Sequence, residues 1–213
     1  MAIIHKMETQ KTWDSICIVG LGNHAKTKLI PTSKKIYKKD NISIVTKKND
    51  LEIKNFKRFE SIEDSFSNNK KSCLYYLATP PIAHYHQSKK ILENGFDVMI
   101  EKPSFINIKH LNEIIQLCDQ KDLLMIEAMM FLENSTANLV TETLKSNLNN
   151  IQEIKTTFTI PKVPLGTFRN EESLSSSLLS DIGCYPITLL AYSKFDLSNL
   201  KITNLEKSNE KYI

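Results

Sequence analysis

Ser15-Ile16-Cys17-Ile18-Val19 runs without a break into Gly20-Leu21-Gly22-Asn23-His24-Ala25, and this stretch decides the fold. Five small or β-branched residues read as a buried strand, and glycines in GxGxxA spacing follow at once. A helix-compatible segment comes next, so the glycines stand in the strand–turn–helix setting that a dinucleotide-binding loop requires. Gly20 would permit the tight turn, Gly22 would let the backbone approach a pyrophosphate, and Ala25 would let the helix pack closely on its strand. Backbone N–H groups at the helix start, where Asn23 stands, would face the anion. His24 lines the loop, with no metal-ligand set around it. The residues alone also allow a turn that needs glycine only for its dihedral angles.

Working outward, short apolar runs alternate with longer amphipathic ones, the rhythm of βαβ units around a parallel sheet. Strands are expected at 15–19, 42–45, 73–78, 97–100 and 123–128, with helices at 83–93 and 107–119. Gly95 suits the residue just past the first of these helices, where the left-handed conformation is common. Beyond Glu127 the character changes. A helix is expected at 135–148, then, after an Asn-rich turn, an antiparallel strand at 151–160 on its Thr and Ile content. The fold class is α/β, a doubly wound parallel Rossmann sheet followed by a truncated α+β substrate domain. The domain boundaries are 13–130 and 131–213.

Dinucleotide sites that prefer NAD place an acidic residue at the end of the second strand, on the ribose hydroxyls. Here that position reads Val45-Thr46-Lys47-Lys48. Two ammonium groups and a hydroxyl suit a 2′-phosphate, which favours NADP(H), with NAD still possible; a solvated turn is the other reading. The missing carboxylate also weighs against an S-adenosylmethionine methyltransferase.

Composition narrows the classes further. The chain has 213 residues, 41% of them hydrophobic, enough for one large domain or one domain and part of a second. Its 28 basic and 24 acidic residues interleave to a formal charge of +4, which gives little support for nucleic-acid binding. Lysines such as those in 34–39 read as solvated helix faces. Cys17, Cys73, Cys118 and Cys184 show no CxxC spacing, as expected of a reducing cytoplasm. No apolar leader or membrane-length stretch is evident, so a cytoplasmic protein without membrane or nucleic-acid partners is expected.

Four motifs stand in a fixed order: the glycine loop, Ala78-Thr79-Pro80-Pro81, Glu101-Lys102-Pro103 after the apolar Val98-Met99-Ile100, and Asp181-Ile182-Gly183-Cys184-Tyr185-Pro186. In that order and spacing the chain resembles the glucose-fructose oxidoreductase and inositol dehydrogenase superfamily, strongest over 78–103 and 168–187. The resemblance implies a nicotinamide-dependent oxidoreductase acting on a carbinol or carbonyl carbon of a sugar, nucleotide sugar or cyclitol. It places Ala78, Thr79, Pro80 and His84 beside the nicotinamide, with Glu101 and Lys102 at the cofactor. Lys102 would hydrogen-bond the reacting hydroxyl, Asp181 would position the substrate, and Tyr185 would be the acid/base. It also suggests a cis Lys102–Pro103 bond.

Chemistry explains the residue types. Hydride transfer to or from a carbinol carbon needs simultaneous handling of the hydroxyl proton. A tyrosine with an ordinary pKa of about 10 is too weak an acid at neutral pH. A lysine ammonium roughly 4 Å away contributes about 4 kcal/mol at an effective dielectric of about 20, equivalent to roughly three pKa units before desolvation opposes it. Asp181 and Tyr185 are four apart and would share a helical face, a reading that Gly183 and Pro186 qualify. A core tyrosine and an N-cap aspartate remain the alternative. Ser175-Ser176-Ser177 departs from the glycine-rich turn usual in the superfamily, and the sequence stops before most of the substrate-domain sheet. Either this is a shortened form that keeps the site, or the site is degenerate or completed by a partner; a homo-oligomer or a partner chain is expected. The rival expectation is a catalytically idle NADP-binding regulatory or assembly subunit.

Overall fold

The computed structural model describes residues 11–70, 72–159, 178–199, 201, 207–208 and 211–212. The chain divides into two compact units, Ile3–Ala128 and Met129–Ile213.

The first unit is a six-stranded, wholly parallel sheet. Its strands are β1 (Ser15–Val19), β2 (Ile42–Val45), β3 (Lys57–Phe59), β4 (Cys73–Leu77), β5 (Asp97–Glu101) and β6 (Met125–Ala128). They lie in the order β3-β2-β1-β4-β5-β6, the doubly wound Rossmann arrangement. The order reverses between β1 and β4, and ligands of such sheets bind in the crevice at the carboxyl ends of the strands there. Alternation along each strand feeds two cores. Ile16 and Ile18 join Ile42, Ile44 and Tyr76 on one face, against Ala25 and Ile30. Cys17 and Val19 join Tyr75, Leu77, Val98 and Ile100 on the other, against Ile91, Leu92 and Ile114. Burying each such aliphatic side chain contributes about 1.5–3 kcal/mol, so a strand with cores on both faces has no solvated side to slip toward.

The helices of this unit are α1 (Ile30–Ile36), α2 (Ile62–Phe66), α3 (Pro81–Glu93) and α4 (Ile108–Lys121). A π-helical turn, Ala25–Leu29, leads from the glycine loop into α1. Pro81 opens α3 in the first turn, where a missing N–H costs no helical bond. Past α3, Gly95 takes φ +82°, the left-handed conformation expected there. Strand β3 is an addition to the expected set.

In the second unit, α5 (Ser135–Ser146) is capped by the Asn134 side chain accepting from the Thr136 N–H. Two short helices follow, α6 (Leu178–Ile182) and α7 (Cys184–Tyr192), with a small antiparallel pair, β7 (Lys207–Ser208) and β8 (Lys211–Tyr212). The strand expected at 151–160 is not formed over 151–159, and Ile160 lies outside the described residues. Thr and Ile content gives a strand only where a neighbouring strand supplies cross-strand partners, and propensity alone cannot create them. Phe168 and Ser175-Ser176-Ser177 also lie outside the described residues. Among the described residues no helix is long and apolar enough to cross a membrane.

Candidate functional site

Gly20 and Gly22 do different work in the first unit. Gly20 has φ +98°, and a Cβ there would lie 2.9 Å from the Ala78 carbonyl oxygen and 3.0 Å from Thr79 Cγ2. Its N–H donates to Val45 O at 3.0 Å, while the Ala78 N–H donates to Val19 O at 2.9 Å. The loop after β1 is thereby pinned to β2 on one side and β4 on the other. A Cβ on Gly22 would meet nothing within 4 Å, so the space beside it is open where a pyrophosphate would need it. This open cradle, at the reversal of strand order and ahead of a helical turn, fits a dinucleotide. Gly20, Gly22, Asn23, His24 and Ala25 would hold its phosphates.

Around the cradle, Glu101 at the end of β5 accepts from the Tyr76 hydroxyl, and His24 Nε2 lies 3.0 Å from the same carboxylate oxygen. That ring is close enough for an ion pair but is not aimed along a good hydrogen bond. Burial pushes the Glu101 pKa up, yet the contacts with His24 and Tyr76 and the charges of His24 and Lys102 together outweigh it and hold it below its ordinary value. Tyr76 moves the opposite way, raised by burial and then by the negative charge of Glu101. Glu101 is thus a carboxylate and Tyr76 a neutral donor, a pairing that ties β4 to β5 beside the loop.

His84 is wholly buried in α3. Its Nε2 faces the Thr79 carbonyl at 2.8 Å, and its Nδ1 faces the Pro103 and Ser104 carbonyls at 3.2 Å and 3.1 Å. It serves the site from behind, bridging the turn after β4 to the turn after β5. Burial pushes its pKa down. The Thr79 hydroxyl donates to Gln87 Oε1 at 2.6 Å, and the Ser104 N–H donates to Glu127 Oε1 at 2.8 Å. These bonds hold Ala78-Thr79-Pro80 and Glu101-Lys102-Pro103 as neighbouring walls, and the Lys102–Pro103 bond is cis as expected.

At the end of β2, the Thr46 N–H donates to Phe59 O at 2.8 Å, and Thr46 Oγ1 accepts from the Lys48 N–H at 3.1 Å. Lys47 and Lys48 are exposed. Asp50, further along the same loop, is ion-paired to Lys26.

Lys102 belongs to the first unit, Asp181 and Tyr185 to the second. Asp181 is buried on α6, and Tyr185 stands in the first turn of α7, across Gly183. The glycine parts the two helices, and Pro186 falls in the first turn of α7, where it costs no helical bond. The Tyr185 ring stacks on Phe158, centroids 4.5 Å apart and planes 7° off parallel, and meets the Phe131 ring edge-on at 5.4 Å. Packing on two sides fixes the direction of its hydroxyl.

Sequence reasoning did not single out Tyr76, Gln87, Glu127 or the Lys26–Asp50 pair. For Tyr76 a signal existed: a tyrosine inside an otherwise apolar buried strand needs a partner for its hydroxyl. Among the described residues no group of His, Cys, Asp and Glu could hold a metal ion.

A parallel Rossmann sheet with an open glycine cradle defines a dinucleotide-binding protein. Residues 15–129 match the oxidoreductase family described as having an NAD-binding Rossmann fold, and the chain belongs to that family, Gfo/Idh/MocA. A dTDP-3,4-didehydro-2,6-dideoxy-alpha-D-glucose 3-reductase from Actinomadura kijaniata is 28% identical over 113 residues, covering 53% of this chain and 34% of that protein. Oxidoreductase P35 from Formosa agariphila is 23% identical over 92% of this chain and 64% of its own length. Among solved structures, a 3-ketoreductase from Actinomadura kijaniata in complex with NADP and TDP-benzene superimposes with a TM-score of 0.70 at 22% identity, covering 83% of this chain and 56% of that one. The WlbA dehydrogenase from Bordetella pertussis, in complex with NADH and UDP-GlcNAcA, gives 0.68 at 16% identity, covering 86% and 56%. This chain therefore spans only part of the relatives it matches.

Proposed function

We propose that this chain transfers a hydride between NADP(H) and a carbinol or carbonyl carbon of a sugar, with a nucleotide sugar the favoured class and a cyclitol the alternative. The observation that carries the reading is the open cradle at Gly22 with the Glu101-Lys102-Pro103 turn held beside the Ala78-Thr79-Pro80 turn by His84. The nucleotide-sugar class is supported by the names of the relatives, a dTDP-sugar reductase and a dehydrogenase bound to UDP-GlcNAcA.

A nicotinamide held in this cradle would supply or accept the hydride. Gly20, Gly22, Asn23 and Ala25 hold the phosphates, while Thr46, Lys47 and Lys48 meet a 2′-phosphate. Tyr185 gives or takes the proton at the reacting oxygen, and Lys102 favours the phenolate electrostatically and hydrogen-bonds that oxygen. Asp181 orients the sugar.

Titration of the purified chain with NADPH and NADH, followed by turnover with dTDP- and UDP-sugars, tests the reading. NADPH binds more tightly than NADH, and Lys47→Asp erases or reverses the preference; equal affinities in the wild type would sink the NADP assignment. Tyr185→Phe lowers turnover by about a hundredfold or more while NADPH affinity stays nearly unchanged, because the lost interaction belongs to the transition state. Lys102→Ala also lowers turnover, and the double variant loses much less than the sum of the two effects, since groups that act as a unit are not additive. Full activity in Tyr185→Phe would place the proton elsewhere.

A second reading, an idle cofactor-binding subunit, is favoured by one feature of the second unit. Leu139 on α5 is 69% exposed and Phe158 is 43% exposed, apolar surface of the kind a partner chain covers. Tight NADPH binding without turnover of any sugar nucleotide would select it.

A further inference from the structure

The end of β2 carries a third cation that the sequence pattern does not reveal. Arg58 lies on β3, paired in register with Ile44 of β2. Its Nη1 donates to the Lys48 carbonyl at 3.3 Å. Lys48 itself is held by its N–H to Thr46 Oγ1 at 3.1 Å, and Thr46 is held by its N–H to Phe59 O at 2.8 Å. The guanidinium is thus fastened, through one closed chain of bonds across two strands, to the very turn that bears Thr46, Lys47 and Lys48. Its remaining donors are not spent on a strong partner: Nη2 approaches Glu60 at 3.4 Å, and the Glu60 side chain is 73% exposed. Asp50, a carboxylate that follows this turn in sequence, is engaged by Lys26.

A flexible, exposed lysine attracts an anion as a point charge, whereas a braced guanidinium presents a planar fork that matches two phosphate oxygens. We propose that Arg58 is the specificity-determining residue of the nucleotide site, closing on the adenosine 2′-phosphate together with the Thr46 hydroxyl and the Lys47 and Lys48 ammonium groups. This inference rests on the NADP(H) reading above and names the group that enforces it. Glu60 yields its place to the phosphate, because a solvated carboxylate at that distance holds the arginine only loosely.

The test uses the whole chain and calorimetric binding of four probes: NADPH, NADH, adenosine 2′-monophosphate and adenosine 5′-monophosphate. Arg58→Gln weakens NADPH and the 2′-monophosphate by about ten- to a hundredfold, the worth of a charge-assisted bond, and leaves NADH and the 5′-monophosphate within about twofold. Arg58→Lys, which keeps the charge and loses the fork, recovers only part of the difference. Thermal unfolding without nucleotide serves as the check on folding. Equal weakening of all four probes would assign Arg58 to holding the turn and overturn the inference. An Arg58→Gln variant that still prefers NADPH would also overturn it, while leaving the NADP(H) reading standing. A wild type that does not discriminate between the two cofactors or the two monophosphates would remove that reading and this inference with it.

Discussion

Two glycines two residues apart make opposite predictions at the scale of single residues. Ala at position 20 would force a Cβ onto the Ala78 backbone at φ +98°, and strain of this kind costs about 1–3 kcal/mol before the clash is relieved. Gly20→Ala therefore lowers the urea midpoint and weakens NADPH binding together. Gly22→Ala meets open space, so stability changes by no more than about 1 kcal/mol while NADPH affinity falls at least about tenfold, because the methyl fills the room the pyrophosphate needs. Retained affinity in Gly22→Ala would show that the phosphates pass elsewhere. The turn at Gly20 was legible in the sequence because spacing encodes backbone geometry directly. The role of His84 was not, since its three partners are the carbonyls of Thr79, Pro103 and Ser104, and every residue carries a carbonyl.

At the scale of elements, His84 joins the turn after β4 to the turn after β5, and its burial has a consequence for pH. The folded ring titrates below its ordinary value of about 6.5, so between the two values the unfolded chain binds the extra proton. Its contribution to stability is complete above about pH 6.5 and is lost progressively as pH falls toward the folded pKa. In urea unfolding, His84→Gln, which cannot be protonated, gives a shallower decline of stability from pH 7 to 5 than the wild type. A decline of the same slope in both proteins would mean that burial does not lower the pKa of the ring, and a steeper decline in the variant would mean that the ring is charged in the fold. The strands that carry these turns were legible as apolar runs because both of their faces are buried. Strand β3 was not: it is three residues long at the sheet edge, with Lys57 and Arg58 exposed and Phe59 alone turned inward. Short, charged edge strands protect a sheet against pairing with other chains, and the same charges erase the pattern that would mark them.

The molecule as a whole carries its own reporter of cofactor binding. Trp13, the one tryptophan in the chain, donates its indole N–H to Asp97 Oδ2 at 2.7 Å. Asp97 also binds Lys11 and accepts from the Leu124 N–H at 2.8 Å, so the tryptophan is fastened across the amino ends of β5 and β6. That places it within the Rossmann unit and at the opposite end of the strands from the glycine cradle, where it reports unfolding of this unit without touching the nucleotide. A ligand that binds only the folded form stabilises it by about 2.7 kcal/mol when present at a hundred times its dissociation constant. NADP+ at that concentration, chosen because the oxidised nicotinamide leaves the emission window clear, moves the Trp13 unfolding midpoint to higher urea by the amount this linkage dictates. The same addition to Gly22→Ala, with affinity at least about tenfold lower, moves it about half as far or less. A wild-type midpoint that does not respond to saturating NADP+ or NAD+ would mean that the cradle, although open, does not hold a nicotinamide dinucleotide, and the hydride transfer and the proton roles assigned to Lys102 and Tyr185 would fall with it.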